Sequence, residues 1–271
     1  MDWVKAHYTQ QSRLFGRATI SDRHREIAKG LHQWFESWQV SRGNRVLELG
    51  AGACGLAAAM TEFGYDVWAV EFNPADVELA KQLVKERNIN RLHIVEADFY
   101  EVQLEGKFDF IYYWDGFGVG DDEHQRRLLT RIGNEWLGED GLAIIDIFSP
   151  WNWQRRVGEV SEFRANDGSF WTREIQFDPL HSRFRDVMRV KDGSQPELSQ
   201  TIRVYSLQDF LLLIEKTGTQ VARFYLDFET PISLDVPDDR VSNRMMKSNG
   251  YFVHLMRAKD RRATQPNEGV T

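Results

Sequence analysis

Three glycines stand at a spacing that suits the binding of a nucleotide-containing ligand. They form the pattern Gly50-x-Gly52-x-x-Gly55 between the apolar segment 45–49 and a second segment with helical character. Glycine lets the chain turn tightly, and a ligand can approach the main chain because no Cβ is in the way. Glu71 ends the next predicted strand, 21 residues after Gly50, where a carboxylate can accept hydrogen bonds from both hydroxyls of a ribose. The pattern predicts a cofactor that contains a ribose.

Two cofactor classes fit this pattern, a nicotinamide dinucleotide and S-adenosylmethionine. Glu48 lies two residues before Gly50, and a carboxylate there suits a cationic amino group, whereas it would repel a pyrophosphate. Asp98 and Phe99 end the third predicted strand, where an acid can accept from the adenine amine and an aromatic ring can stack on the base. These features favour S-adenosylmethionine, and NAD stays open as the alternative.

Strands and helices alternate along the first half of the chain, which predicts a parallel sheet covered on both faces. After Pro150 the pattern changes to an antiparallel ribbon, then one helix, then two strands that we expect to pair. The predicted strands are 45–49, 66–70, 92–97, 108–113, 142–148, 170–177, 183–190, 200–205, 221–228 and 251–258, and the main predicted helices are 22–39, 74–87, 122–136 and 207–217.

These motifs resemble those of the class I S-adenosylmethionine-dependent methyltransferases. Residues 46–55 (VLELGAGACG) are similar to the family's first motif, 70–74 (VEFNP) to its ribose-binding strand end, and 97–99 (ADF) to its adenine-binding turn. The resemblance implies a Rossmann-like α/β fold with a seven-stranded sheet, helices on both faces and an antiparallel last strand, plus a small antiparallel β insertion. It covers about 22–148 and the terminal strand pair.

The resemblance also implies a division of the chain and a type of substrate. We expect an N-terminal helical lid at 1–42, a cofactor-binding core at 43–150, a β insertion that covers the substrate at 151–205, the rest of the core at 206–258, and a disordered tail at 259–271. The segment after the fourth strand (WDGF) has no proline pair of the kind typical of many DNA-base methyltransferases, and no acidic cluster matches the metal-dependent catechol type. The small-molecule type therefore fits best, with no metal.

The resemblance assigns cofactor contacts to residues at the strand ends and in the leading segment. The expected cofactor-binding residues are Tyr8, Glu48, Gly50, Gly52, Gly55, Glu71, Phe72, Asp98, Phe99 and Trp114.

Asp115 is the candidate catalytic residue because it follows the fourth strand at the carboxyl edge of the sheet, between Trp114 and Phe117. The aromatic neighbours lower the local dielectric, so a carboxylate there can hold an ammonium or hydroxyl acceptor and help to take up its proton. The alternative is that Asp115 only caps a turn, since Asp-Gly is a common turn pair. Trp151 and Trp153 follow the fifth strand at the same edge and are candidates for substrate contact.

Composition limits the partners of the protein. The 271 residues carry 34 Lys and Arg against 41 Asp and Glu, a formal charge of −7, which argues weakly against nucleic acid. A single cysteine, Cys54, excludes an internal disulfide and a cysteine-rich zinc site. We find no apolar run of membrane-spanning length and no apolar signal core at the start, so we expect a cytoplasmic protein without a membrane partner, as a monomer or homodimer.

The sequence therefore predicts an S-adenosylmethionine-dependent methyltransferase that acts on a nitrogen or oxygen of a small molecule. Methyl transfer is an in-line displacement in which the protein mainly aligns and desolvates the reactants, which agrees with the absence of an obvious catalytic dyad in the sequence. The alternatives are an NAD-dependent oxidoreductase and a non-catalytic partner protein that binds S-adenosylmethionine.

Overall fold

The apolar strands of the first half of the chain form one central sheet between layers of helices. The computed structural model describes residues 2–38, 44–236 and 238–258. The elements of the first half are α1 (Asp2–Phe15), α2 (Asp22–Ser37), β1 (Arg45–Leu49), α3 (Gly55–Thr61), β2 (Asp66–Glu71), α4 (Pro74–Arg87), β3 (Leu92–Glu96), β4 (Phe108–Tyr113), α5 (Asp122–Arg131), a π-helical turn (Ile132–Trp136) and β5 (Leu137–Phe148).

The second half adds a smaller sheet and completes the central one. Its elements are α6 (Pro150–Arg155), β6 (Val160–Arg164), β7 (Phe170–Asp178), β8 (Arg183–Val190), β9 (Leu198–Arg203), α7 (Leu207–Leu213), β10 (Thr219–Tyr225), β11 (Pro231–Ile232), α8 (Asp239–Met245) and β12 (Gly250–Arg257). The helices and strands follow the sequence prediction closely, and no helix of the described ranges is long and apolar enough to span a membrane.

The central sheet has eight strands in the order β11-β10-β12-β5-β4-β1-β2-β3. β1 to β5 are parallel, and β12 is antiparallel to β5, as expected for the last strand. The expected number was seven. The additional strand is β11, which is two residues long and pairs with the edge strand β10. Its pairing depends on where the loop after β10 folds back, which no local pattern encodes.

The insertion forms a separate antiparallel sheet in the order β6-β7-β8-β9. The sequence analysis identified the last three of these strands and missed β6 and the short helix α6. Four of the five residues of β6 are exposed. Its sequence, VSEFR, does not alternate between apolar and polar residues, so no pattern indicated a strand there.

Helix α2 covers one face of the central sheet, and its start agrees with the predicted cap. The Ser21 side chain accepts a hydrogen bond from the backbone N–H of His24 at 3.2 Å, and the His24 ring accepts one from the Ser21 N–H. Buried residues of α2 pack on the sheet, where Trp34 donates from its indole nitrogen to the Phe228 carbonyl oxygen at 3.1 Å. The boundary expected between 42 and 43, the expected end of this helix at 39 and the tail at 259–271 lie outside the described residues.

Gly30 on α2 gives a test of this packing. A Cβ at Gly30 would lie 2.3 Å from ring atoms of Phe228. Glycine to alanine in a free helix stabilises by about 1 kcal/mol, but overpacking costs about 1–3 kcal/mol. We therefore expect Gly30→Ala to lower the free energy of unfolding in urea. Lys29→Ala, at an exposed position of the same helix, is the control and should change it little. A stabilised Gly30→Ala would contradict this packing.

Candidate active site

A cavity of about 400 Å³ opens at the carboxyl ends of the parallel strands. We call it the first cavity. Eight of the ten expected cofactor residues line it. They are Tyr8, Gly50, Gly52, Glu71, Phe72, Asp98, Phe99 and Trp114. Each of them except Tyr8 follows or ends a strand, because the carboxyl ends of parallel strands meet at one edge of the sheet.

The glycine turn after β1 leaves open space at the cavity floor. Gly50 and Gly52 have φ angles of +63° and +54°, a backbone region that glycine adopts without strain. A Cβ built on Gly52 has no protein atom within 4 Å, although Gly52 lines the cavity. This main-chain surface is therefore free for a ligand.

Glu71 at the end of β2 is buried and connects the glycine turn to the next loop. Its two oxygens accept the backbone N–H of Gly52 and of Asn73, each at 2.8 Å. Burial raises its pKa to about 7, although these two hydrogen bonds oppose the rise. The side chain still lines the first cavity, so it can accept further hydrogen bonds there.

Asp98 and Phe99 form the wall of the cavity beyond β3. Asp98 accepts the backbone N–H of Tyr100 at 2.8 Å, which fixes the turn. The Phe99 ring packs against Tyr113 with 5.5 Å between the centroids. The sequence analysis missed Arg127 in this wall. Its guanidinium donates to the Tyr100 carbonyl oxygen at 2.7 Å.

Two expected cofactor residues, Glu48 and Gly55, lie outside the lining of the cavity. Glu48 is buried below the turn and accepts the hydroxyl of Tyr112 at 3.0 Å, and burial raises its pKa to about 8. Gly55 packs against α2, since a Cβ there would lie 2.2 Å from the His24 ring. Both residues therefore contact protein and support the turn from behind. Their expected contact with the cofactor stays a prediction.

Helix α1 closes one side of the cavity. The Tyr8 hydroxyl donates to the Gln200 side-chain oxygen at 3.0 Å, and its ring meets Phe72 edge-on with 6.3 Å between the centroids. One turn further, the Ser12 hydroxyl accepts from the Asn73 amide at 2.8 Å and donates to Asp76 at 2.5 Å. These bonds attach α1 to the start of α4, next to Glu71.

A second, larger cavity of about 850 Å³ lies between the sheet edge and the insertion. Three residues, Tyr8, Trp114 and Asp115, line both cavities and so mark their junction. The wall is rich in aromatic side chains. These are Tyr8, Phe15, Trp114, Phe148, Trp153, Phe163, Phe184 and Phe252.

Of the two tryptophans expected near the substrate, only Trp153 lines the second cavity. Its indole stacks on Phe184 with 4.2 Å between the centroids and donates to the Asn249 carbonyl oxygen at 3.0 Å. Trp151, two residues earlier, is exposed and is not part of the lining.

Asp115 occupies a left-handed turn after β4. Its φ angle is +58°, which is uncommon for a residue other than glycine. The backbone N–H of Asp115 donates to Asp146 on β5 at 3.3 Å, so the main chain, and not the carboxylate, forms this contact. The carboxylate is open to the cavity but enclosed by protein, which raises its pKa, while the charges of Arg23 and Arg173 act in the opposite direction.

Six charged residues of the second cavity were missed from the sequence. They are Arg23, Asp146, Arg156, Glu162, Arg173 and Asp186. Asp186 is buried and forms a two-point ion pair with Arg173, with distances of 2.8 and 2.7 Å. Gln200 donates to Asp186 at 3.3 Å. Of these residues, only Asp146 could have been found from the sequence, because it lies near the carboxyl end of a predicted strand, where ligands bind.

Comparisons with known proteins agree with this geometry. Residues 46–139 match a family model described as a methyltransferase domain. Cypemycin N-terminal methyltransferase of Streptomyces sp is 28% identical over 132 residues, which is 48% of this chain and 53% of that protein. This chain thus spans about half the length of that relative.

Solved structures share the fold over most of the chain. The CcbJ methyltransferase from Streptomyces caelestis superposes with a TM-score of 0.70 at 17% identity, covering 88% of this chain and 91% of the other. CalS10, an amino pentose methyltransferase from Micromonospora echinaspora solved with S-adenosylmethionine bound, gives 0.57 at 14% identity, covering 86% and 91%.

Residues 46–139 therefore match a methyltransferase domain, and the chain has the class I methyltransferase fold over most of its length. The predicted fold class is confirmed, and the match of residues 46–139 agrees with the predicted type of domain. Among the described residues, no group of three or more His, Cys, Asp or Glu side chains is arranged to hold a metal ion.

Gly52 provides a test of the first cavity. Because a Cβ at Gly52 would enter ligand space and meet no protein atom, Gly52→Ala should weaken S-adenosylhomocysteine binding by about 1–3 kcal/mol, the usual cost of overpacking. Gly193→Ala is the matched control, since Gly193 also has a positive φ, +70°, and open space, but lies in an outer turn. Both variants carry similar backbone strain. A difference between their affinities for S-adenosylhomocysteine in calorimetry therefore reports the contact at Gly52. Equal affinity for both would remove Gly52 from the binding surface.

The raised pKa of Glu71 leads us to expect that cofactor binding depends on pH. Hydroxyl donors favour the charged carboxylate, and the pKa of Glu71 in the free protein is raised to about 7. Affinity for S-adenosylhomocysteine should therefore fall as the pH decreases from about 8 to about 6, by up to about tenfold. Glu71→Gln should bind more weakly at about pH 8, by roughly 1.5–3 kcal/mol, and lose this dependence.

Glu96 is the control for Glu71, because it is the partner of Glu71 in register on β3 but is half-exposed and bridges to Lys81 at 3.8 Å. Glu96→Gln should retain both the affinity and its pH dependence. If Glu71→Gln retained them as well, Glu71 would not contact the ribose.

Proposed function

We propose that the protein transfers a methyl group from S-adenosylmethionine, bound in the first cavity, to an amine of a small molecule bound in the second. The observation that carries this proposal is the junction of the two cavities at Tyr8, Trp114 and Asp115. Methyl transfer needs donor and acceptor in line and shielded from water. Two adjoining cavities with a shared wall support that arrangement.

The residues of the first cavity suit the parts of the cofactor. In the proposed mode, Glu71 accepts the ribose hydroxyls, Asp98 accepts the adenine amine, and Phe99 packs on the base. The open main chain at Gly52 admits the rest of the molecule. When bound, S-adenosylmethionine supplies a methyl group on a sulfonium sulfur, a reactive electrophile that needs no further activation by the protein.

An amine acceptor is supported by the charges of the second cavity. Asp115 and Asp146 both line it, and two carboxylates among aromatic walls attract an ammonium group. No described lining residue is a histidine, lysine or cysteine, and burial raises the pKa of Tyr8 far above neutrality. A hydroxyl acceptor needs a stronger base than this set offers, whereas an amine needs only to lose one proton before it reacts.

The size of the second cavity supports an amine on a bulky, partly apolar scaffold. About 850 Å³ is far more than a small amino acid fills, and the wall combines aromatic rings with polar groups such as Gln200. The names of two relatives, an N-terminal methyltransferase and an amino pentose methyltransferase, also indicate amine acceptors.

The flanking segments have a role in this proposal. Helix α1 acts as the lid and the insertion as the substrate cover. This is supported by the residues of α1 in the walls of both cavities and by those of the insertion in the wall of the second. The proposal also includes that the acceptor is a small molecule. In addition, it holds that the protein acts in the cytoplasm as a monomer or homodimer. The formal charge of −7 supports a partner other than nucleic acid.

The test uses labelled S-adenosylmethionine and a panel of amine and alcohol pairs on shared scaffolds. Suitable pairs are benzylamine with benzyl alcohol, cyclohexylamine with cyclohexanol, and amino sugars with their hydroxyl analogues. We expect label in the amines and little or none in the alcohols. A preference for the alcohols would refute the amine proposal, and binding of cofactor without any transfer would favour the non-catalytic alternative.

Asp115→Asn tests the role of the junction in the same assay. The substitution retains size but removes the charge, so it should bind S-adenosylhomocysteine as the wild type does and lose at least about tenfold in turnover. Asp140→Asn, at an exposed position at the far end of the sheet, should retain activity. Full activity of Asp115→Asn would leave Asp115 with only its role in the turn.

A further inference from the structure

Asp146 on β5 contacts the proposed catalytic residue and has no role assigned so far. It is half-buried, and its Oδ2 accepts the backbone N–H of Asp115 at 3.3 Å. Its neighbour across the sheet is Phe252 on β12, and all three residues line the second cavity. Asp146 therefore contacts the turn that carries the Asp115 carboxylate and faces the same space.

We propose that Asp146 is a positioning residue for methyl transfer, which holds the left-handed turn of Asp115 and forms with it a carboxyl pair that takes up the proton of the acceptor ammonium. This inference rests on the proposed function. A left-handed backbone at a residue other than glycine needs support from its surroundings, and the bond from the Asp115 N–H to Asp146 supplies it. Asp146 thus fixes the direction of the Asp115 side chain.

The Asp115–Asp146 pair takes up one proton for each methyl group that is transferred. The acceptor enters as an ammonium and gives one proton to the Asp115–Asp146 pair, which leaves a lone pair on nitrogen. The new C–N bond then forms as the C–S bond breaks, and the bonding electrons go to sulfur. The positive charge passes from sulfur to nitrogen, the pair releases its proton to solvent, and no other reactant is needed.

The charges around the pair determine how it titrates. Asp115 lies in the loop after β4, Arg23 on α2, and Arg173 with its partner Asp186 on the insertion sheet. Burial and the charge of Asp115 raise the pKa of Asp146 to about 7, while the hydrogen bond from the Asp115 N–H and the charge of Arg23 oppose the rise. Because the charge of Asp115 affects the pKa of Asp146, the titrations of the two carboxyl groups are coupled. The carboxylate of Asp146 is charged mainly above about pH 7, and the state with both carboxylates charged is the one that accepts a proton from an ammonium.

The first experiment measures the titration of the two carboxyl groups in the absence of an acceptor. Carbon-13 NMR of labelled aspartate carboxyls follows the titration of Asp146 in the complex with S-adenosylhomocysteine. We expect a step near the raised pKa of about 7, which moves lower by at least about one pH unit in Asp115→Asn because the like charge is gone. Titration of Asp146 in the ordinary aspartate range, unaffected by Asp115→Asn, would overturn the proposal.

The second experiment measures the pH dependence of kcat/KM with an amine that the panel identifies. Asp146→Asn retains an acceptor for the Asp115 N–H but leaves Asp115 without a like charge beside it. We expect the acid limb to move lower by at least about one pH unit, with kcat reduced at least about tenfold because the remaining base is weaker. Asp146→Glu should recover part of the activity.

Asp109→Asn is the matched control for Asp146→Asn. The Asp109 carboxylate also accepts a backbone N–H, that of Arg45 at 2.9 Å, but it lies at the opposite end of β4 from the cavities and should leave the profile unchanged. An equal loss of activity at every pH in Asp146→Asn, without movement of the limb, would show a merely structural role and refute the pair. If no amine in the panel is methylated, the proposed function fails, while the NMR titration still decides whether the pair exists.

Discussion

Parallel pairing of β1 with both β2 and β4 brings the strand-end residues of the site together. In a parallel sheet the carboxyl ends share one edge, so the residues that follow four separate strands meet there. Gly50 follows β1, Glu71 ends β2, Asp98 follows β3 and Asp115 follows β4. The contacts between these segments, such as the bond from the Gly52 N–H to Glu71, depend on that shared edge.

The edge alone is an open groove, and the two flanking segments convert it into cavities. Helix α1 is attached to the start of α4 through Ser12 and Asn73, and to the insertion through Tyr8 and Gln200. Gln200 in turn bonds to Asp186. Helix α1 and the insertion are thus connected by hydrogen bonds at the junction of the cavities. Removal of water from this junction strengthens the attraction between the carboxylates and a cationic ligand.

The sequence predicts the strand ends well because each one combines an apolar run with glycine or an acidic residue. Seven of the ten predicted cofactor residues line the first cavity for this reason, and Tyr8 of α1 is the eighth lining residue. Glu48 and Gly55 do not, because a local motif does not indicate on which side of a turn a side chain points. Asp146 and the Arg173–Asp186 pair depend on contacts between distant segments, and β11 depends on the path of a loop. Such contacts leave no periodic signal in a single sequence.

The central claim is that methyl donor and acceptor meet at the Asp115 junction. A crystal structure of the complex with S-adenosylhomocysteine tests it most directly. The account predicts the ribose at Glu71, the adenine between Asp98 and Phe99, and the sulfur directed past Trp114 into the second cavity, facing the Asp115 carboxylate. A ligand bound elsewhere, or a sulfur directed away from the second cavity, would contradict the account.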